Sequence, residues 1–306
     1  MKENRMFGAV KPIDKPIVAW LYGIATLGLV TLFISLGSYL GGQLVWGGLM
    51  VLPSDVMQFL MFTIDPLFVD LLIFIFPGLL LCLWVLLVER RSIKGLGFFK
   101  EKAWWELAKG WLIGSLMMVT VVGLQVLTGS ISLNQVTFSG ENILSFLLII
   151  PFWLIQSGVE ELLTRGWLFP VLSKHTHIWI GMGASSLLFA ILHLQNPSIN
   201  WISLLNIALF GFFACLYVLK TDNIWGISAI HAAWNCIQGS FFGLPVSGIT
   251  IAYAPMNFTI EQVPEYLSGG TFGPEGSLLS SLVLLVGILY LAWHLYQKNK
   301  AKPDVQ

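Results

Sequence analysis

The chain has 306 residues, of which 56% are hydrophobic and 10% charged; its net charge is zero and its mean hydropathy +0.80. Soluble domains carry roughly 25% charged residues, so this composition excludes an ordinary soluble enzyme, and a neutral chain has no electrostatic reason to bind nucleic acid. No charge occurs from Pro16 to Ser54 or from Trp111 to Gly140, stretches longer than the ~20 residues that cross a bilayer as a helix.

The expected fold class is therefore all-α: a polytopic integral membrane helical bundle, with residues 1–306 forming a single membrane domain. Eight spans are predicted, at about 17–45, 67–88, 104–128, 143–168, 179–195, 202–219, 224–243 and 277–296. The apolar run behind the basic first residues is too long for a signal-peptide core, so it reads as a retained first helix. Lys2, Arg5, Lys11 and Lys15 precede the first span, and Arg90, Arg91, Lys94, Lys100 and Lys102 follow the second. Lys174 follows the fourth, Lys220 the sixth, and Lys298, Lys300 and Lys302 the eighth. The alternate connections, about 46–66, 129–142, 196–201 and 244–276, hold no Lys or Arg. Positive residues stay on the cytoplasmic side, which places both termini there.

Residues 96–110 mix aromatics and charge as an interfacial anchor does. The connection 244–276 is rich in Gly, Pro and Ser and carries Glu261, Glu265 and Glu275; it reads either as a solvated loop or as a cap over a site. Cys82, Cys215 and Cys236 lie in apolar stretches without ligand spacing and read as small buried hydrophobes. No internal repeat divides the chain.

Three polar islands interrupt the apolar helices: Glu160-Glu161-x-x-x-Arg165, Phe189-x-x-x-His193 and His231-x-x-x-Asn235. An ionised group at the bilayer centre costs about 2.5–3.5 kcal/mol on insertion scales, so intramembrane charges point to function. Glu161 and Arg165 share a helix face at i,i+4 and can cancel one another, while Glu160 is turned about 100° away, toward another partner. Glu160 and His193 flank the turn at Lys174–His177 symmetrically, which sets both on the order of 20–25 Å from it. His231 and Asn235 follow the Asp222 turn on one face. All four can meet in one intramembrane cavity, whereas His175, His177 and His294 read as solvated or interfacial.

A carboxylate beside an imidazole can take a proton from water, and a His with an Asn can cradle an oxyanion. Such a site suits amide hydrolysis. The same residues permit a second use: Glu160, His193 and His231 resemble a two-His, one-carboxylate zinc set with an open position. Against it, Asn is a poor zinc ligand and no HExxH motif occurs. The cofactor is thus either none or zinc. Ser157, Ser185 and Ser186 lack a nucleophile elbow and read as packing residues.

The three motifs, in this order on successive membrane helices, resemble the CPBP family of intramembrane proteases, which includes the type II CAAX-prenyl endopeptidases and relatives linked to bacteriocin immunity. The resemblance rests on a core of about residues 140–245. It implies that Glu160 and His193 activate water, that His231 and Asn235 form the oxyanion site, and that Glu161 and Arg165 support the fold. It further implies an endopeptidase, glutamate- or metal-dependent, in the bacterial cytoplasmic membrane. Its partners would be membrane lipid and a peptide or membrane-protein substrate, while no oligomeric state is implied. Two other classes fit the same residues: a non-catalytic scaffold or bacteriocin-immunity factor, and a proton-coupled transporter using the buried Glu and His residues as a relay.

Overall fold

The computed structural model describes residues 4–63, 65–251 and 254–300; Lys2 and Lys302, two of the charges used to orient the chain, lie outside them. Helix α1 spans Pro16–Met50 and opens on a proline, whose missing N–H costs nothing in a first turn. A short α2 follows at Ser54–Thr63. Helix α3, Pro66–Leu87, is capped by Asp65, whose side chain accepts the Leu67 N–H at 2.9 Å. Helix α4 is Ala103–Leu127, and the strand β1 is Ile131–Val136.

Helix α5 runs 36 residues, Gly140–His175, with Ser139 Oγ accepting the Asn142 N–H at its start. Its stretch Leu162–Leu168 is a π-helix. Then come α6 at Ile178–Leu192, α7 at Trp201–Thr221 and α8 at Trp225–Cys236, the last continued by a π-helical turn, Ile237–Phe241. Strand β2 is Met256–Ile260 and α9 is Leu278–Lys300.

Each predicted span contains a helix, and the molecule is an all-α polytopic bundle. Among the described residues six helices (α1, α3, α4, α5, α7 and α9) are long and apolar enough to cross a membrane. Helices α6 and α8, the fifth and seventh predicted spans, are not: α6 has 15 residues, which rise about 22 Å, and α8 has 12, both short of a hydrocarbon core of about 30 Å. The fifth span was expected to run to residue 195, but the helix ends at Leu192 with His193 as its C-cap. Pro197, which disfavours helix in the residue before it, lies just beyond.

Close backbone approach sets the positions of the central helices. A Cβ on Gly110 or Gly114 of α4 would lie 2.2 Å from the carbonyl oxygen of Gly226 or Ile230 on α8. A Cβ on Gly211 of α7 would lie 2.9 Å from Ser186 Cα on α6. Small residues at such crossings let helices pack without an intervening side chain. At the rim of the bundle Trp104 and Trp105 are 85% and 64% exposed, the placement expected of interfacial anchors.

The connection 244–276 is packed against the bundle at several points, while Glu261, Gln262, Glu265 and Tyr266 stay exposed. Phe272 is fully buried, and Gln125 Nε2 on α4 donates to the Leu267 and Ser268 carbonyls at 3.2 and 2.9 Å. Asn206 Nδ2 on α7 donates to the carbonyls of Glu275 and Ser277, both at 2.8 Å. Strand β2 within it pairs antiparallel with β1, Ile131 opposite Ile260 and Val136 opposite Met256.

Candidate active site

Glu160 and Glu161 sit where α5 turns from α-helix into its π-helical stretch. Such wider turns occur frequently at functional sites. Both carboxylates approach His231 on α8. Glu161 Oε1 is 3.0 Å from His231 Nδ1, and Glu160 Oε2 is 3.8 Å from His231 Nε2. Glu161 Oε1 also accepts from Arg165 Nη1 at 3.1 Å, with both side chains fully buried. The guanidinium carbon of Arg165 lies 4.3 Å from the centre of the Phe189 ring, a favourable cation–π stack.

Phe189 therefore has a definite task in its motif. Its ring meets His193 at 4.8 Å and His231 at 5.8 Å, centre to centre, and Phe210 closes the other side of His231 at 4.9 Å. His193, at the end of α6, has Nδ1 2.7 Å from the Phe189 carbonyl oxygen. A proton on Nδ1 satisfies that contact and leaves Nε2 as an acceptor. Asn235, one turn beyond His231, donates Nδ2–H to Ser157 Oγ at 3.5 Å.

His193, His231 and Asn235 line one cavity of about 40 Å³, walled by Phe189, Phe210 and Trp234, room for about three waters. Glu160 borders His231 from α5. Among the described residues no hydrogen bond or ion pair joins Glu160 to His193; each reaches the site from its own side, with His231 next to Glu160. No three His, Cys, Asp or Glu side chains among the described residues come together as metal ligands. As placed, Glu160, His193 and His231 thus do not fit a three-ligand zinc site.

Glu275 and Ser247, both from the connection 244–276, also belong to the cavity wall. Glu275, from the connection before α9, accepts from Trp234 Nε1 at 3.3 Å and from Ser247 Oγ at 2.5 Å. Burial pushes its carboxyl above the usual range, opposed by the hydrogen bonds from Ser247 and Trp234. An acid in a Gly/Pro-rich connection carries no signal, because solvated loops hold acids too. The pairing with α8 exists only in three dimensions.

Residues 142–237, which carry α5 to α8, match the family described as Rce1-like, type II CAAX prenyl endopeptidase Rce1-like. The match supports assignment to the CPBP family of CAAX proteases. It implies a protease whose substrate is a peptide or protein. With six apolar helices of spanning length, this makes the chain a multi-pass integral membrane protein. No curated protein and no solved structure matches the chain.

Proposed function

We propose that this protein is an intramembrane endopeptidase in which Glu160 activates water and the His231/Asn235 face of α8 receives the oxyanion. The observation that carries this reading is the placement of His231 between two carboxylates, Glu161 hydrogen-bonded at Nδ1 and Glu160 3.8 Å from Nε2, beside a cavity shared with His193 and Asn235.

The Glu160 carboxylate takes a proton from a water that His193 Nε2 orients as acceptor. The water oxygen bonds to the scissile carbonyl carbon, and the carbonyl π pair moves onto its oxygen. Asn235 donates to that oxyanion through its amide, and His231, as the imidazolium between the two carboxylates, through Nε2–H. As the tetrahedral centre collapses, the C–N bond breaks and Glu160 passes its proton to the leaving nitrogen, giving a carboxyl and an amine product. Glu161 holds the His231 ring in register through Nδ1, and its charge is balanced by Arg165. The cavity is water-sized in this conformation, so substrate entry displaces a wall. Ser247 and Glu275 are the wall that moves, held in this conformation by the Ser247 and Trp234 bonds to Glu275.

General acid–base groups contribute about 10²–10⁴ in rate and a single oxyanion donor about 10²–10³. Detergent-purified protein is therefore expected to cleave a quenched-fluorescence peptide library, with Glu160→Gln and His193→Ala each losing at least about a hundredfold. Equal turnover by wild type and Glu160→Gln would overturn the assignment of the base. Loss of wild-type activity on chelation, restored by zinc, would overturn the metal-free step.

A further inference from the structure

A second cavity lies away from the catalytic one and shares no lining residue with it. Helices α4, α7 and α9 enclose a groove of about 690 Å³ whose walls include Leu116, Thr120 and Leu124 of α4, Phe213 of α7 and Val286 of α9. One end is different in kind. There the lining becomes Lys109, Tyr217, Lys220, Thr221 and Tyr290.

The charge at this end does not cancel. Lys109 Nζ is 2.7 Å from Glu106 Oε1. Lys220 has no acidic partner among the described ion pairs, and its ammonium rests 4.8 Å from the centre of the Tyr290 ring. Two ammonium groups against one carboxylate leave a single positive charge. An anion with acceptor oxygens is what this end lacks.

The dimensions decide what kind of molecule carries that anion. From Lys109 to Leu124 the groove follows about 22 Å of α4, more than one leaflet of a hydrocarbon core of about 30 Å. A helix 10–12 Å across would occupy about 1,700–2,500 Å³ over that length, well beyond the groove volume. An extended hydrocarbon chain fits.

We propose that this groove binds an acidic phospholipid, with an acyl chain along α4 and α9 and the phosphate at Lys220 and Lys109. Basic pockets between helices near the membrane surface recognise anionic headgroups in this way. The site is independent of the proteolytic reading, since none of its residues belongs to the catalytic cavity.

The test is native mass spectrometry of the full chain in neutral detergent, with phosphatidylglycerol or phosphatidylcholine of identical acyl chains added. One net charge near the surface gives an expected preference of about fivefold for phosphatidylglycerol in the wild type. Lys220→Gln, a substitution at a half-buried side chain, is expected to reduce that preference to about one. Thr120→Trp, which fills the groove, is expected to lower retention of both lipids. Equal retention of the two lipids by the wild type, or a preference that survives in Lys220→Gln, would overturn the headgroup assignment. Unchanged retention in a folded Thr120→Trp protein would overturn the groove as the binding place.

Discussion

In α7, 67% of the most apolar window is buried inside the protein, whereas in α1, α3, α4, α5 and α9 the share is 22–33%. The peripheral helices turn leucine outward, as at Leu83 and Leu289, and their neighbour is lipid. The central helices α5 to α8 bury charge. Glu161 and Arg165 are wholly enclosed, with Glu161 Oε2 and Arg165 Nε and Nη2 lacking hydrogen-bond partners among the described residues. Lipid tails are as apolar as leucine, so exposure at the periphery costs little and burial there gains little. Charge in the centre is tolerated only through its partners. The buried Glu161–Arg165 pair and the lipid-facing leucines are thus opposite environments, and substitutions should separate them sharply.

The largest effect on stability is expected at the buried pair. Glu161→Ala strands Arg165 and removes the Nδ1 partner of His231, and losing one member of a buried ion pair costs about 3–5 kcal/mol. That is a large fraction of the roughly 5–15 kcal/mol that holds a typical fold. Thermal unfolding in detergent should show it. Adding Arg165→Met to Glu161→Ala should recover part of the loss, because the stranded charge is gone, but should leave peptidase activity low. Wild-type unfolding of Glu161→Ala would mean that the central charges are not held by pairing.

A smaller effect is expected where α4 meets α8. At Gly114 any Cβ would sit 2.2 Å from the Ile230 carbonyl oxygen, a backbone atom that cannot rotate aside. Gly114→Leu must push α4 off α8, and overpacking of this kind costs about 1–3 kcal/mol. Because His231 follows Ile230 directly, turnover should fall more than stability. The contrast is measurable as lost activity at temperatures where the variant remains folded. Retained activity would show that α8 is positioned by α5 alone.

The membrane bundle was legible because uncharged runs of spanning length leave few alternatives, and all eight predicted segments hold helices. The polar islands were legible for the same reason: Glu160, His193 and His231 stand out against apolar neighbours. Helical spacing put Glu161 and Arg165 on one face, where their charges lie 3.1 Å apart. Longer-range relations were hidden. Met256, Phe258 and Ile260 alternate as a strand should, but the choice of β1 as partner, more than a hundred residues earlier, has no local signal. The contact of Glu161 with His231 spans 70 residues and depends on how α5 and α8 pack. Glu275 lies in a connection that reads equally as a solvated loop or a cap, because the bonds from Gln125 and Asn206 that hold it are long-range and leave no local signal.

The smallest effect is expected on the lipid-facing side, and it tests the comparison from the other end. Leu289 on α9 is 67% exposed and lies outside the lining of the α4–α7–α9 groove. A buried leucine cut to alanine typically costs about 2–5 kcal/mol. At Leu289 the side chain exchanges contact with the protein for contact with lipid of the same polarity, so Leu289→Ala should shift stability by no more than about 0.5 kcal/mol. A core-sized loss in thermal unfolding would show that another protein surface, such as a second copy of this chain, covers α9. A dilution series that raised the wild-type stability gap with concentration would then identify the second copy, and the periphery would have to be redrawn as an interface.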